Sequence, residues 1–493
     1  LPCPDFTLSF NITMLFTTTN TTSGPRTGLL HGQTPTPTLV RPTVSCGDKF
    51  MAQPDRVLGK RTRHDDDDGT ILSSSPTPSP YTGTEIISLD LGALSTLPVK
   101  ALESTSAKHQ DGRAIAHYLN HTSCLVLLTS RNLRLAEEAK STKKGLTLNT
   151  RFGYKSFNGT DYATLVQHSQ PDIACALAAT TFVGAGNKRV RRSVDVTLQY
   201  LQQTLAATAA LPPSQPRPPI FAAIVGGVEH SRERQRCIEK IVQLSSGLVP
   251  STSAATSTSS TSSSSSTSST SSTSSHSATS STTPTAIAGY LLAGFSAGET
   301  SAQRNSVVQS TLVQLPSQLP RMLECVSTVL DVLDAVSLGI DLISWSYPDT
   351  LTDACCAATF PLDARNGGGA TTKICLRDAS YARDVTPLVE GCRCYACQHH
   401  TKAYIHHLVV RGCGGWWVVG VLWSTDLVCC CFFSVVSLFG IGQVVHEILG
   451  QALLNVHNWY HAHQWCRVIR EQIQGNTFDK YNEEFRTMYA SSQ

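Results

Sequence analysis

The sequence lacks an excess of charge of either sign. Its 493 residues include 39 lysines and arginines and 36 aspartates and glutamates, which gives a formal net charge of +3. Net charge therefore gives no indication of a nucleic-acid partner. Any surface that binds nucleic acid has to be a local basic patch.

The sequence also lacks the features of a small secreted protein. The opening LPCPDFTLSFNITMLF has no basic segment leading into a clean apolar run, so no signal peptide is predicted there. The 17 cysteines would indicate a disulfide framework only in a short chain with a signal peptide. We therefore expect a reducing, intracellular compartment in which the thiols are free or bound to metal.

No G-x-G-x-x-G motif follows a predicted strand, which weakens the case for a dinucleotide-binding fold. Instead, short apolar runs alternate with helical segments. IFAAIVGG (220–227) precedes RERQRCIEKIVQL, AIAGYLLAGF (286–295) precedes SAQRNSVVQSTLVQL, and RMLECV (321–326) precedes TVLDVLDAVSLG and IDLISWSY. This alternation predicts an α/β fold, and a (β/α)8 TIM-like barrel is favoured over an open doubly wound sheet.

Composition divides the chain into regions. Residues 1–85 are rich in Thr, Pro, Ser and Gly, and we expect a poorly ordered region with room for a β-hairpin in RTGLLHGQTPTPTLVRPT. The barrel is predicted over 86–475, interrupted by a disordered Ser/Thr tract at 251–283. Residues 476–493 are predicted to form a C-terminal tail.

The most hydrophobic stretch is GGWWVVGVLWSTDLVCCCFFSVVSLFGIGQVV (414–445), whose only charged residue is Asp426. Its length would allow it to span a bilayer, which takes about 20 residues. A zinc-stabilised protein anchored in a membrane by residues 414–441 is therefore one hypothesis.

Cys392, Cys394 and Cys397 form a C-x-C-x2-C pattern, which predicts three soft ligands for one tetrahedral metal ion, most simply zinc. The fourth ligand stays open at this point, although a histidine distant from Cys397 is favoured over one that must fold back within three residues. The candidates are His399, His400, His406, His407, His446, His457, His461 and His463, with Cys429, Cys430 and Cys431 disfavoured by their apolar surroundings.

PLVEGCRCYACQHHTKAYIHHL, followed by HEILGQALLNVHNWYHAHQWCRVIREQI, resembles the C-terminal zinc-binding region of the tRNA-guanine transglycosylases. QPDIACAL, NKRVRRSVDVTLQYLQQ, IVGG, GFSAGE, DVLDAVSLGIDLISWSYP and KICLRDASYARDVTPLVEGC follow the family's order. The resemblance covers roughly residues 150–475 apart from two inserts. It implies a (β/α)8 barrel that carries an inserted C-terminal zinc-binding subdomain, here at 387–475.

The resemblance also implies the fourth zinc ligand. In the family this ligand is the histidine of a His-Asn dipeptide about 25 residues beyond the last cysteine, and His457 precedes an asparagine here. Between Cys397 and His457 lie 59 residues, of which 25 remain if 411–444 is an apolar insertion. A spanning helix would separate these two ligands by a bilayer about 30 Å thick, so no stable membrane span is expected.

The catalytic motifs of the family are altered here. Its nucleophilic segment, G-[IV]-D-M-F-D-x-x-x-P, corresponds to residues 339–348, with Ser344 in the nucleophile's position. The family's D-S-G-G-F-Q is absent from the region of YTGTEIISLDLGAL, and its V-Q-G-G becomes IVGG without the glutamine. These changes imply a chain with no catalytic residue of its own.

The implied function is that of an accessory subunit paired with a catalytic queuine tRNA-ribosyltransferase subunit. The heterodimer would exchange guanine for queuine at wobble position 34 of tRNAs with GUN anticodons. The zinc subdomain would support dimerisation and tRNA positioning. Lys188, Arg189, Arg191 and Arg192 are candidate tRNA contacts, with an ordinary solvated helix face as the alternative reading.

Two further hypotheses remain besides the accessory subunit. The first is an active transglycosylase that uses a displaced carboxylate, Asp341 or Asp349. The second is the zinc-stabilised membrane protein already described. We expect a cytoplasmic location, with peripheral attachment to the mitochondrial outer membrane as a variant of it.

Overall fold

The structure is a computed structural model. It describes residues 16–18, 24–30, 34–42, 85–131, 140–142, 144–150, 152–212, 215–245, 287–295, 298–362, 371–410 and 444–491. The predicted Ser/Thr tract at 251–283 and residues 411–443 of the predicted apolar insertion lie outside the described residues.

The strands alternate with helices along the chain, as the apolar runs predict. In chain order they are β1 (Phe16–Thr18), β2 (Gly28–Leu30), β3 (Thr34–Thr36), β4 (Thr38–Pro42), β5 (Ile86–Asp90), β6 (Leu125–Thr129), β7 (Lys140–Thr142), β8 (Gly145–Thr150), β9 (Gly153–Phe157), β10 (Ile173–Cys175), β11 (Ile220–Ile224), β12 (Ile287–Leu292), β13 (Arg321–Val326), β14 (Leu342–Trp345), β15 (Cys356–Ala358) and β16 (Lys373–Cys375).

The helices lie between and after these strands. They are α1 (Leu91–Leu94), α2 (Val99–Lys108), α3 (Ala114–Tyr118), α4 (Gly159–Ser169), α5 (Asn187–Ala209), α6 (Ser231–Ser245), α7 (Ser301–Leu312), α8 (Val329–Ser337), α9 (Tyr347–Asp353), α10 (Tyr395–His399), α11 (402–410), α12 (Val444–Gln474) and α13 (Phe478–Ser491). A 3₁₀ helix covers Ala379–Arg383.

Eight parallel strands close into a barrel in the order β4, β5, β6, β10, β11, β12, β13, β14, and β14 pairs back onto β4. The strands are almost wholly buried because helices cover their outer faces, and they consist mainly of Ile, Leu, Val and Ala. The predicted (β/α)8 fold is confirmed. Segments that follow a barrel strand lie at the carboxyl ends of the strands. TIM barrels carry their functional sites at this end, and we call it the barrel mouth.

The barrel begins earlier in the chain than predicted. In β4, Leu39 and Val40 are fully buried, and Val40 pairs with Ser344 of β14 on one side and with Ile86 of β5 on the other. The expectation that 1–85 precedes the barrel as a poorly ordered region is therefore wrong for 38–42. A Thr- and Pro-rich composition conceals this strand because its hydrogen-bond partners come from distant parts of the chain.

The prediction of a C-terminal tail at 476–493 is also wrong. Helix α13 buries five apolar and aromatic side chains at helical spacing, which pack against the barrel core: Phe478, Tyr481, Phe485, Met488 and Tyr489. The Trp465 indole N–H donates to the Tyr481 hydroxyl over 3.0 Å, which ties α12 to α13. This helix is an integral part of the domain.

Two small sheets interrupt the βα pattern. The antiparallel strands β7–β9 lie between β6 and α4, and the antiparallel pair β15–β16 follows α9. A separate small core joins β15, β16, α10, α11 and α12, with Ile405, Leu453 and Leu454 fully buried at its centre. This second core underlies the predicted zinc subdomain.

Candidate metal centre and barrel mouth

The three cysteines of the C-x-C-x2-C pattern lie in a tight turn that leads into α10. Gly391 precedes them with a φ of +73°, a conformation that L side chains rarely adopt. The Cys394 sulfur caps α10 and accepts a hydrogen bond from the Cys397 amide over 3.3 Å. The turn therefore holds the three sulfurs together on one side of the segment.

His457 of α12 approaches these sulfurs from the opposite side. Its Nδ1 lies 3.8 Å from the sulfur of Cys392, 3.5 Å from that of Cys394 and 3.4 Å from that of Cys397. All four ligand atoms lie within 4.8 Å of one another. A tetrahedral zinc ion with ordinary bond lengths would place sulfur and nitrogen about 3.6 Å apart, so the cluster has the dimensions of such a site.

The other ring nitrogen of His457 is held by the backbone. Nε2 lies 2.9 Å from the Ala358 carbonyl oxygen of β15, to which it donates, so Nδ1 is the ring nitrogen that faces the three sulfurs. The Asn458 side chain accepts from the Ala358 amide over 2.8 Å and donates to Cys356 O over 3.0 Å. The His-Asn dipeptide thus joins α12 to β15, a role for Asn458 that the sequence alone does not indicate.

The electrostatics of the cluster act differently on its thiols: contacts with Cys392 and Cys397, together with burial, raise the pKa of Cys394, whereas the pKa of Cys392 is lowered. Hydrogen bonds from Cys394 and Cys397, and the neighbouring His457, hold the pKa of Cys392 far below its ordinary value of 9.0. Burial lowers the pKa of His457, but its contacts with Cys392 and Cys397 outweigh that effect and raise it to about 10. Ionised thiols are the form in which cysteine binds a metal.

The other candidate histidines make different contacts. Nε2 of His461 lies 2.8 Å from Phe360 O, and Nδ1 of His406 lies 2.7 Å from Leu376 O. His399 and His400 lie beside Tyr395, and His463 lies 3.7 Å from Glu85. Cys429, Cys430, Cys431 and the side chain of His446 lie outside the described residues.

Ser344, at the predicted nucleophile position, lies in β14 and is only 1% exposed. Its hydroxyl has no hydrogen-bond partner among the residues that the structure describes. No described histidine or carboxylate is therefore in a position to take its proton.

The two alternative carboxylates are both engaged elsewhere. Asp341 precedes β14, at the end of the barrel opposite the mouth, and forms a buried ion pair with Arg26. Asp349 lies at the start of α9 and accepts from Asn455 Nδ2 over 3.0 Å and from Trp459 Nε1 over 3.2 Å. Both side chains thus hold separate parts of the structure together.

A buried ion pair lies at the barrel mouth. Arg131, two residues beyond β6, donates to Glu324 of β13 over 2.5 Å, and the Gly294 amide donates to the same carboxylate oxygen over 2.9 Å. Glu299 lies close enough for its charge to act on Arg131. The sequence gives no local signal for this pair, since its members are 193 residues apart.

Asp90 and the IVGG segment also lie at the mouth. Asp90 ends β5 and caps α1 by accepting from the Ala93 amide over 2.8 Å, and burial raises its pKa. A Cβ on Gly226 would lie 2.5 Å from the Cα of Arg234, so only glycine fits there. The Arg234 guanidinium lies 5.0 Å from the centre of the Phe295 ring, and burial lowers its pKa to about 10.

The four basic residues singled out as candidate tRNA contacts lie in the first two turns of α5. All four of them, Lys188, Arg189, Arg191 and Arg192, are exposed. Because α5 begins after β10 at the barrel mouth, they lie at the mouth end of the domain. Cations near a helix N-terminus are electrostatically unfavourable to the helix, so helix stability does not explain them.

None of the helices in the described part of the chain combines the length and the apolar character needed to cross a membrane. Residues 411–443 are not among those described.

Comparison with known proteins identifies the family. Residues 101–258 and 266–413 match the TGT model, whose description is queuine tRNA-ribosyltransferase. The queuine tRNA-ribosyltransferase of Nitrosospira multiformis is 30% identical over 205 residues, which cover 41% of this chain and 43% of that protein.

Two relatives carry the name queuine tRNA-ribosyltransferase accessory subunit 2. The Homo sapiens protein is 27% identical over 229 residues, covering 40% of this chain and 47% of that protein. The Culex quinquefasciatus protein is 25% identical over 336 residues, covering 66% of this chain and 61% of that protein. The chain therefore matches less than two thirds of the length of each relative. Since the family model matches more than half of its residues, the chain belongs to the TGT, or queuine tRNA-ribosyltransferase, family.

Proposed function

We propose that this chain is the non-catalytic subunit of a heterodimeric queuine tRNA-ribosyltransferase. The partner would be the catalytic subunit, and the complex would exchange guanine for queuine at position 34 of tRNAs with GUN anticodons. The observation that carries the proposal is Ser344, a buried hydroxyl without a hydrogen-bond partner among the described residues, at the position of the family's nucleophilic carboxylate.

The chemistry of Ser344 supports a non-catalytic role. A serine hydroxyl is a weak nucleophile unless an adjacent base takes its proton. A glycosyl adduct on serine would be a stable acetal, whereas the adduct on a carboxylate is a labile ester. A base-exchange reaction needs the second kind of intermediate, because the incoming base has to displace the enzyme from the ribose.

Asp341 and Glu324 do not offer a replacement nucleophile. Asp341 is at the wrong end of the barrel and is paired with Arg26. Glu324 does lie at the mouth, but its charge is neutralised by Arg131. An active transglycosylase with a displaced carboxylate is therefore the less supported alternative.

We propose that the Cys392, Cys394, Cys397 and His457 cluster holds one structural zinc ion. The set of three thiolates and one imidazole is typical of closed structural zinc sites, which leave no ligand position open. The small core around the cluster is separate from the barrel core, and a subdomain of this size gains folding free energy directly from bound metal. Bound zinc would fix the position of α12 on β15, and it would not take part in the base exchange.

The proposal also covers the domain limits and the location. We interpret 387–475 as the zinc subdomain, with 411–444 as an insertion between its cysteine turn and its histidine helix. The short contact between Gly450 of α12 and Val409 of α11, where a Cβ would lie 2.9 Å from Val409 Cγ1, brings the two sides of that insertion together. Free thiolate ligands fit a reducing compartment such as the cytoplasm.

The test of this proposal is reconstitution with the catalytic chain of the same organism. The mixture should form a complex of one copy of each chain by native mass spectrometry, and it should incorporate radiolabelled guanine into a GUN-anticodon tRNA. The chain alone should incorporate none. Failure to form a mixed complex, or incorporation by the isolated chain, would contradict the proposal.

A further inference from the structure

The antiparallel sheet β7–β9 has no assigned role. It follows β6 and precedes α4, so it lies beside the barrel mouth, and α1 packs against β8. One face of the sheet is closed by Leu146, Leu148 and Phe157, which are at most 8% exposed. The opposite face is directed away from the barrel.

The residues of that outward face are fixed by the strand pairing. Lys140 is opposite Thr147, Thr147 is opposite Ser156, and Asn149 is opposite Tyr154, and directly opposed residues share one face of a sheet. The face therefore combines one cation, three small hydrogen-bonding side chains and one aromatic ring. It contains no carboxylate, and no Asp or Glu occurs anywhere in 140–157.

Two aromatic rings are exposed on this sheet to an extent that the fold does not explain. Phe152, in the turn between β8 and β9, is 80% exposed, and Tyr154 is 74% exposed. The ammonium of Lys140 lies 5.7 Å from the centre of the Tyr154 ring, and that of Lys155 lies 5.3 Å from the centre of the Phe157 ring. The rings of Phe152 and Tyr154 are not buried by the fold, so they are available to a ligand, whereas Phe157 belongs to the buried face.

Three lysines belong to this sheet: Lys140 shares the outward face with Tyr154, Lys155 is opposite Leu148 and starts from the other face, and Lys144 lies in the turn between β7 and β8. Lys140, Lys144 and Lys155 are exposed, and no carboxylate forms an ion pair with any of them within the part of the chain that the structure describes. Their charge is therefore not neutralised within the described fold. Exposed aromatic faces beside unneutralised lysines are the combination that binds single-stranded nucleic acid.

The sheet is continuous with the basic turns of α5. The Tyr200 hydroxyl of α5 donates to the Thr142 carbonyl of β7, and the charge of Arg192 acts on the same phenol group. Arg192 and Tyr200 are eight residues apart on the helix, which corresponds to about 12 Å. The cations of α5 and those of the sheet thus line one side of the barrel mouth.

We infer that the outward face of β7–β9, with Phe152 and Tyr154, is an RNA-binding surface that stacks unpaired nucleotides of the tRNA while Lys140 and the exposed lysines at the edges of the sheet contact phosphates. This inference rests on the proposed function, because the RNA is the tRNA of that proposal. Every base has a π-face, so such a surface would position a loop without reading its sequence. The basic turns of α5 would contact the adjoining phosphates.

The experiment measures the affinity of the full-length chain for a fluorescently labelled, transcribed GUN-anticodon tRNA, alone and in the mixed complex, between about 50 and 200 mM salt. The double variant Phe152→Ala/Tyr154→Ala should weaken tRNA binding by about tenfold or more, since each base stacked on an aromatic ring contributes substantially to the free energy of binding. The triple variant Lys140→Glu/Lys144→Glu/Lys155→Glu should also weaken binding. The slope of log affinity against log salt concentration should become shallower by an amount that corresponds to about two phosphate contacts.

Matched controls separate this effect from general changes of the surface. Val313 is also 80% exposed but follows α7 at the end of the barrel opposite the mouth, and Lys240 is an exposed lysine in the second half of α6. Val313→Ala and Lys240→Glu should bind tRNA like the unaltered chain. Thermal unfolding of every variant should match the unaltered chain, because the altered side chains are exposed.

The outcomes distinguish this inference from the function on which it rests. An unaltered chain that does not bind tRNA, or sheet variants that bind within about twofold of it, would overturn the RNA surface even if the complex exchanges guanine. Sheet variants that lose the catalytic chain and keep tRNA would overturn it too, because the face would then be a protein interface. Loss of tRNA binding in a complex without exchange activity would support the surface and contradict the proposed function.

Discussion

At the residue scale, Ser344 and Glu324 lie on neighbouring barrel strands but differ in their hydrogen-bond and ion-pair partners. Glu324 is paired with Arg131 and accepts from the Gly294 amide, so its charge is compensated within the fold. Ser344 has no hydrogen-bond partner among the described residues. A buried hydroxyl without a partner costs about 1–3 kcal/mol of stability, and no described contact offsets that cost.

Replacement of Ser344 by alanine should therefore leave the thermal midpoint of unfolding unchanged or raise it. The variant should support guanine exchange in the mixed complex as well as the unaltered chain does, because a non-catalytic subunit does not need the hydroxyl for the reaction. Calorimetry and the exchange assay check the two parts. A loss of exchange with the complex intact would show that the hydroxyl acts in catalysis.

Glu85 predicts a pH dependence of stability. Burial raises its pKa, but contacts with His463 and Arg41 outweigh that effect and lower it from 4.5 to about 2. A carboxylate with a lowered pKa contributes stability above pH 4.5 and loses that contribution as the pH falls towards 2. The shift corresponds to about 3 kcal/mol.

The unaltered chain should therefore lose more stability than Glu85→Gln as the pH falls from 4.5 to 2, because the variant has no carboxylate to protonate at this position. Urea unfolding at several pH values measures the effect, with Glu483→Gln as a control at an exposed carboxylate of α13. Parallel pH profiles for the unaltered chain and Glu85→Gln would contradict this account of the Arg41 and His463 contacts.

At the element scale, α12 carries the contacts that join the two cores. His457 and Asn458 both bond to Ala358 of β15, while Asn455 and Trp459 bond to Asp349 of α9. The cysteine turn is predictable from the sequence because its ligands lie within six residues. The histidine is not predictable from spacing alone, since eight histidines compete for the role, and only the resemblance to the family indicates His457.

Removal of one of the four proposed metal ligands should destabilise this junction. Cys397→Ser should reduce bound zinc from about one per chain to far below that, because three ligands hold zinc more weakly than four. Elemental analysis by mass spectrometry measures the zinc, and thermal unfolding should show an earlier transition. A chelator should produce the same transition in the unaltered chain.

The matched control is Cys375→Ser, an exposed cysteine of β16 that is not part of the cluster. It should keep its zinc and its unfolding temperature. Equal zinc content in Cys397→Ser and the unaltered chain would contradict the proposed ligand set.

At the scale of the whole molecule, the βα alternation is predictable from the sequence because each unit is local. The first barrel strand, β4, and the last helix, α13, are not predictable from the sequence, for different physical reasons. Thr38–Pro42 becomes a strand through pairing with β5 and β14, which are distant in the sequence. Helix α13 has an amphipathic spacing that the polar composition of its sequence conceals. The Arg131–Glu324 pair depends on barrel closure, which no local pattern reveals.

The whole fold should also tolerate removal of 411–444. The contact of Gly450 with Val409 holds α11 and α12 together near both ends of that segment. A chain with Val410 joined directly to Val445 should bind zinc and pair with the catalytic chain like the full-length chain. Loss of zinc on this deletion would show that the segment belongs to the metal subdomain.

The central claim is that this chain contributes no nucleophile to base exchange. The most direct test combines it with a catalytic chain whose own nucleophilic carboxylate is replaced by asparagine, and measures radiolabelled guanine incorporation into a GUN-anticodon tRNA. The mixed complex should assemble and bind tRNA, and it should incorporate no guanine, whereas the complex with an unaltered catalytic chain should do so. Incorporation by the complex with the disabled partner would contradict the account, because the reacting group would then have to come from this chain.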